Sequence, residues 1–500
     1  MSYVADHPEL ADGPNPFFDG ISPFIPFNEL PIKLSTFPLD GVNWRSLPPS
    51  HREPLLDLGD RHFAPTTAVI EPASGIQSLL RRTLALANPL SPSNRKLCNQ
   101  IGMVDSADAL KMLTPAQGGG MLLSGMTATG KSTLLKRALE TFAPQQVIDH
   151  GNSEAGGFYG LRQCVYLHVD HPSNGSRGAL LKRILQCLDS RVQTTYYEEH
   201  QKVSNLDSLL VTVSKLLTRH RVALLCIDEK QESTFEDSPW RTEFSLFYLQ
   251  LMNLGISVVL AGNPLAFEHL AVYSQLMRRF STGGVHTLLP ATPSRDSWWA
   301  RDFVRHARAF SIVEKWSIDE QQRAHFENEN SAGLPGLFTA YHQEVQRSAL
   351  RRGGSSAEVC DQDYLAAQTS PRFKQLRRIA LAATSEEARL SSPFIDIPSI
   401  TKPIKAVANP AIHSTAEAMM TVTPKAAITA AEKLVRSFKA KQTRQANQLS
   451  TSLKALRTLP PEDIRRLGVS EELISGMTKQ LENLKPVEKG NLHGPSNRKA

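Results

Sequence analysis

Eight consecutive residues, Gly125-Met126-Thr127-Ala128-Thr129-Gly130-Lys131-Ser132, followed by Thr133, have the spacing G-x-x-x-x-G-K-[ST]. Such a segment turns successive backbone N–H groups toward phosphate oxygens, and the helix that follows adds a partial positive charge. Lys131 is placed for β- and γ-phosphates, and Ser132 offers a hydroxyl to Mg²⁺. A second chemical group closes the apolar run Val222-Ala223-Leu224-Leu225-Cys226-Ile227 with two acids, Asp228 and Glu229. Asp228 suits a magnesium ion, held directly or through water. Glu229 suits the orientation and polarisation of an attacking water. A lone Asp-Glu pair would ordinarily be read as the acidic start of a helix, but the upstream phosphate loop argues for the chemical reading. A third run, Ile256 to Gly262, ends in Asn263, whose amide can bond both water and phosphate. A simple turn before Pro264 is the other reading. Arg278 or Arg279, with Arg279 the first choice, offers a guanidinium that could reach a neighbouring protomer's γ-phosphate. Their other reading is as surface arginines favoured near a helix C-terminus.

These groups need a scaffold of buried parallel strands. Met121-Leu122-Leu123 reads as the strand before the loop, and Leu134–Thr141 as the helix after it. Cys164–Asp170 reads as a second strand, followed by a polar loop and a helix over Ala179–Leu188. Asn205–Arg219 and Phe244–Leu254 read as helices, and Leu265–Met277 as a helix ending just before the arginines. Strand–helix alternation from about residue 120 to 285 implies an α/β fold, a parallel sheet flanked by helices. Ser74–Leu90 precedes it as an amphipathic helix. From Pro293 to Ala383 the pattern turns helical, over Ser311–Glu327, Leu337–Leu350 and Asp363–Ala367, which reads as a lid beside the nucleotide.

The expected organisation is an N-terminal extension over 1–65, a nucleotide-binding core over 66–290, a helical lid over 291–395, a linker over 396–425 and a basic helical tail over 426–500. The extension is rich in Pro and Phe, as in Asn15-Pro16-Phe17-Phe18, and makes no core alone. It either docks a partner or straps its own domain. Five cysteines are scattered without a C-x-x-C pair, which indicates neither a zinc site nor a disulfide framework. No apolar run reaches membrane-spanning length, and the first residues lack a secretory signal, so a cytoplasmic protein is expected. Net charge is +7 and uneven: from Thr401 onward 17 Lys and Arg face 8 Asp and Glu, leaving residues 1–400 slightly acidic. The basic tail suits nucleic acid or an acidic protein, or is simply a solvated tail.

Several motifs together resemble the TnsC/TniB AAA+ ATPases. They are Tyr166-Leu167-His168-Val169-Asp170-His171-Pro172-Ser173-Asn174-Gly175-Ser176, Ile227-Asp228-Glu229-Lys230-Gln231, Val258-Val259-Leu260-Ala261-Gly262-Asn263-Pro264 and Met277-Arg278-Arg279-Phe280. Thr194-Thr195-Tyr196-Tyr197 and the segment Asn328–Leu350 are closer to TnsC. The resemblance covers about residues 50–400. It implies an AAA+ P-loop ATPase that uses ATP and Mg²⁺ and assembles as a ring or filament on double-stranded target DNA. It further implies a transposition regulator that links a TniQ- or TnsD-like target selector, met through the N-terminal region, to a transposase met through the C-terminal tail. Hydrolysis would drive disassembly. Asn263 would act as the sensor of the γ-phosphate. In the loop and helix after the second strand, Asn174, Ser176, Arg177 and Lys182 could line the inside of such a ring and contact DNA phosphates; the other reading of each is solvated surface. The sequence departs from the pattern at Ala128, where many such loops have Gly, and at Asn263, where relatives often have Thr. Its lid reads Gly333-Leu334-Pro335-Gly336, with no evident sensor arginine. Two other classes compete. A replication initiator or helicase loader would need a winged-helix reader after the lid, and the last hundred residues lack the hairpin signals for one. A non-hydrolysing scaffold is disfavoured by the intact Asp228-Glu229 pair.

Overall fold

The computed structural model describes residues 14–111, 113, 118–172, 176–230, 241–267, 274–293, 296, 298–353 and 357–385. In chain order the core comprises helix α1 (Thr67–Leu86), strand β1 (Gly120–Gly125), helix α2 (Lys131–Phe142) and strands β2 (Val147–Asp149), β3 (Arg162–Cys164) and β4 (Tyr166–Asp170). Helices α3 (Arg177–Val192) and α4 (Leu206–Arg219), strand β5 (Leu224–Lys230), helix α5 (Arg241–Asn253), strand β6 (Ser257–Gly262), helix α6 (Ser274–Phe280) and strand β7 (Val285–Leu288) complete it. The lid follows, with strand β8 (Lys315–Trp316), helices α7 (Glu320–Ser331) and α8 (Pro335–Gly353), strand β9 (Glu358–Val359) and helices α9 (Asp361–Thr369) and α10 (Lys374–Thr384). The second unit of the chain, 409–500, lies outside the described residues, as do the expected linker and tail.

Five parallel strands form one sheet in the order β4-β5-β6-β1-β7. Every residue of β1 and β6 is buried, as a strand covered on both faces requires. Alternate residues feed two cores. Met121 and Leu123 pack with α1 and α2, whereas Leu122, Val258 and Leu260 pack with α3, α4 and α5. This is the α/β fold, a parallel sheet flanked by helices, that the alternation of apolar runs and helices implied.

Local details differ from the sequence pattern. The apolar stretch Cys164–Asp170 is two strands. β3 pairs antiparallel with β2, and β4 joins the main sheet beside β5, because Val165 donates to the Gln146 carbonyl at 2.8 Å and breaks the run. Helix α1 starts at Thr67 and runs through Pro72, whose buried ring holds the first turns against the core. Over 311–319 the lid is not helical: it holds the short strand β8, which pairs with β9, between irregular stretches. The helix begins only after Asp319, whose carboxylate caps the Gln321 and Gln322 amides.

The N-terminal segment packs on both halves of the molecule. Phe17, Phe18, Ile21, Ile25, Leu30 and Leu34 join the α1–α2 core, and Gln77 exchanges two hydrogen bonds with the Ile25 backbone. Trp44 and Leu56 instead join the lid core with Phe310, Tyr341 and Val345. Arg52 donates to the carbonyls of Leu47, Arg45 and Ile312, and Glu53 pairs with Arg347 and Arg351 of α8.

Among the described residues no helix is long and apolar enough to cross a membrane, and no His/Cys/Asp/Glu cluster forms a metal cage. The five cysteines are unpaired. Burial pushes the Cys164 thiol up to about 12 and the Cys226 thiol also up, so neither is a ready thiolate.

Candidate functional site

The phosphate loop leaves β1 at a tightly packed corner. A Cβ on Gly125 would stand 2.8 Å from the Thr129 hydroxyl oxygen and 2.9 Å from the Leu288 carbonyl. Thr129 folds back, its hydroxyl donating to the Met126 carbonyl at 2.8 Å. Ala128 and Gly130 both take positive φ, 67° and 93°. Alternation of this kind aims consecutive amides into one hollow, which favours an anion. A Cβ on Gly130 would meet nothing within 4 Å, so the hollow is open on that side. Lys131 begins α2, and its ammonium lies over the loop, donating to the carbonyls of Gly125 and Met126 at 2.7 and 2.8 Å. Ser132 and Thr133 are exposed in the first turn, and Met126 and Thr129 are buried beneath.

Strand order brings the other groups to the same edge. β6 lies between β1 and β5, so residues following β1, β6 and β5 emerge side by side at the carboxyl ends, where ligands of open α/β sheets sit. Ser124 pairs with Gly262, which places Gly125 next to Asn263. Asn263 is 8% exposed, and its carbonyl accepts from the Ala266 amide at 3.0 Å. Asp228 pairs with Asp170 across β4, is 2% exposed, and has its carbonyl bonded by the His171 amide at 2.8 Å. His168 Nε2 lies 3.5 Å from an Asp228 carboxylate oxygen. Between Ile227 and Lys230 the β5 register slips against β6, so an extra residue is accommodated where the two acids stand. The sequence offered no sign of that irregularity. Glu229 lies in β5 at this slip.

The remaining candidates are dispersed. Arg278 and Arg279 belong to the last turn of α6, which runs to Phe280, rather than lying beyond it. Arg278 is exposed, whereas Arg279 is half-buried and donates to the Asn253 side chain at 3.1 Å. Ser176 caps α3, accepting from the Ala179 amide, and half-buried Arg177 opens that helix. Lys182 is one turn further on and donates to the Gln201 carbonyl at 2.6 Å. Asn174 lies outside the described residues. The Thr194–Tyr197 motif is drawn together by Asp189, whose carboxylate accepts from the Thr194 hydroxyl and from the Tyr196 and Tyr197 amides.

The contact that sequence reasoning missed comes from the lid. The Gly336 amide, in the first turn of α8, donates to the Ala128 carbonyl at 2.9 Å. No local pattern links these positions. The only trace in the sequence was the glycine pair at 333 and 336.

The hollow and the acids fit a nucleoside triphosphate with Mg²⁺. The phosphate loop would take the phosphates, and one buried carboxylate plus the Ser132 hydroxyl is a sparse oxygen set. Magnesium, which keeps waters and substrate oxygens, accepts such a set.

Residues 105–288 match the family described as bacterial TniB protein. That segment runs from before β1 to the end of β7 and excludes the N-terminal segment and the lid. No curated protein matches the chain. Among solved structures, Cdc6p from Pyrobaculum aerophilum is 12% identical, with 61% of this chain and 74% of that one covered and a TM-score of 0.35. The Aeropyrum pernix ORC1 protein, solved in complex with DNA, is 14% identical, with 61% and 72% covered and a TM-score of 0.36. Domain III of the Thermotoga maritima replication initiation protein DnaA is 14% identical, with 55% and 91% covered and a TM-score of 0.30. Likenesses this remote carry no argument about what the chain does.

Proposed function

We propose that this chain, which carries a TniB-family segment over residues 105–288, is an AAA+ ATPase whose ATP state governs its assembly on target DNA during transposition. The observation that carries the reading is the meeting of the phosphate loop, Asp228-Glu229 and Asn263 on one edge of three adjacent strands, within that segment. In this reading the amides of residues 127–132 cradle the phosphates, and Lys131 leaves the loop carbonyls to pair with the β- and γ-phosphates. Ser132 and Asp228 would hold Mg²⁺, which would supply positive charge beside the phosphates. Glu229 accepts the proton of the attacking water, and Asn263 orients that water against the γ-phosphate. Arg278 is the better placed of the two arginines to serve a neighbouring protomer, because Arg279 is already engaged by Asn253. Ser176, Arg177 and Lys182 serve as sequence-tolerant contacts to DNA phosphates, and Asn174 joins them. The same reading gives the chain a cytoplasmic, DNA-associated setting. Its N-terminal segment meets a target selector and its tail a transposase.

Two substitutions test it. Lys131→Ala abolishes ATP binding and nucleotide-dependent assembly on duplex DNA. ATP-dependent oligomers formed by that variant would show that the site is elsewhere. Glu229→Gln binds ATP yet slows hydrolysis by about 100-fold or more, as expected for loss of a general base, and leaves the assembly locked on DNA. Rapid turnover in that variant would remove Glu229 from its role.

A further inference from the structure

A backbone hydrogen bond joins the lid to the phosphate loop, from the Gly336 amide to the Ala128 carbonyl. At Gly336 a Cβ would lie 3.1 Å from the Ala128 Cβ and carbonyl oxygen and 3.2 Å from its Cα, so a side chain there presses on the loop at Ala128, which must give way slightly to admit it. Ala128 is the loop residue with an unfavourable conformation: φ is 67°, a region that L side chains seldom occupy. Two contacts support it there. The Gly336 amide bonds its carbonyl, and its methyl group packs on the lid cluster of Ala332, Leu334, Leu337 and Ala380. The lid is itself anchored at its root, where the Ala291 amide donates to the Gly333 carbonyl at 2.9 Å.

We propose that Gly336 is a positioning residue: by holding Ala128 in its left-handed conformation, the lid sets the phosphate-binding shape of the loop, and nucleotide binding in turn fastens the lid. The inference rests on the nucleotide reading of the loop given above. It follows from the geometry because Ala128 directly precedes Thr129, whose amide and hydroxyl both donate to the Met126 carbonyl inside the loop, and Gly130, which opens the helix behind it. A loop residue that is strained alone and relaxed only against the lid makes the two elements one equilibrium. Such coupling is reciprocal: the lid contact tightens nucleotide binding by the same factor that bound nucleotide strengthens the lid contact. The glycine at position 336 then serves as the coupling element between lid and loop.

The test uses the full chain and a fluorescent ATP analogue. G336A is expected to bind the analogue about tenfold more weakly than the wild type, within the ordinary range of coupling between sites. The double variant G336A/A128G is expected to regain most of that loss, because glycine at 128 removes one crowded methyl and accepts positive φ without support. Equal affinity of G336A and wild type, or a double variant no better than G336A, overturns the proposal. Thermal melting of each variant shows whether it folds. Should G336A fail to fold, amide exchange in the wild type decides. Exchange at Gly336 is expected to slow on adding the analogue, and unchanged exchange with analogue bound overturns the proposal. A wild-type chain that binds no analogue at all overturns the nucleotide reading together with this one, whereas binding without coupling overturns this one alone.

Discussion

Lys131, Asp228, Asn263 and Arg278 differ in how they come to matter. Lys131 has a role set by its immediate neighbours: the loop geometry exists within eight residues, and its ammonium already lies over that loop. Arg278 matters only if a second protomer is present. A mixing experiment separates the two. Arg278→Ala alone is expected to lose ATPase activity, and so is Lys131→Ala. Mixed together they are expected to recover part of it, since one contributes the intact loop and the other the intact arginine. Arg279→Ala is expected to act differently, by lowering the melting temperature through loss of the Asn253 contact. Restored activity in the Arg279→Ala and Lys131→Ala mixture, with none in the other, would reverse the assignment. At this scale the sequence was informative wherever chemistry depends on local spacing, as at Gly125–Ser132. It was silent where one residue is positioned by another far along the chain. The Gly336–Ala128 contact joins the lid to the loop, and no period or motif records it.

At the scale of elements, the lid is held by buried polar groups. Glu327 is 2% exposed and pairs with Arg308 at 2.5 Å and Arg323 at 3.1 Å. Glu327→Ala would remove the shared partner of two largely buried guanidinium groups, of which Arg308 keeps Glu320 at 2.5 Å, and is expected to cost about 3 kcal/mol, read from chemical denaturation. A loss under 1 kcal/mol would show that the network contributes little. His342, stacked between Trp316 and Phe338, is pushed down to about 3 by burial, with Arg323 adding to the effect. Its folded value lies below its ordinary 6.5, so the unfolded chain binds the extra proton. Stability is therefore complete above pH 6.5 and falls as pH drops below it, by up to about 1.4 kcal/mol per unit until the folded value is reached. Burial lowers His62 and His220 in the same direction. Glu53, held low by its Arg351 hydrogen bond, adds its loss only below its ordinary value of 4.5. Between pH 4.5 and 6.5 the histidines dominate, and His342→Gln is expected to flatten the fall in melting temperature there. An unchanged slope would contradict that. Helices with clear apolar periodicity, such as Asn205–Arg219, were legible because the core reads one face. The break within Cys164–Asp170 and the irregular start of the lid were not, because strand pairing and caps depend on partners elsewhere in the chain.

Taken whole, the described part of the molecule is a sheet-based core and a helical lid with one N-terminal segment packed on both. That segment was open between partner docking and strapping when read as sequence. Its residues 17–34 lie on the core, and Trp44 and Leu56 lie on the lid. Loosening it is therefore expected to change lid motion and nucleotide affinity before any partner is added. Trp44→Ala, which removes a 5% exposed indole from the lid core, is expected to weaken ATP binding as well as stability. An effect on stability alone would separate the strap from the nucleotide site. Removing residues 401–500 is expected to leave ATPase activity intact while weakening coupling to a transposase, and lost ATPase activity would place the tail in the core. Binding to duplex DNA should fall steeply with salt, as contacts to phosphate require.

The most direct measurement of the central claim is imaging and sedimentation of the full chain on duplex DNA, with and without a non-hydrolysable ATP analogue, beside Lys131→Ala. The account predicts ordered multimers on DNA only for the wild type and only with the analogue. Identical assemblies without nucleotide, or with Lys131→Ala, would contradict it.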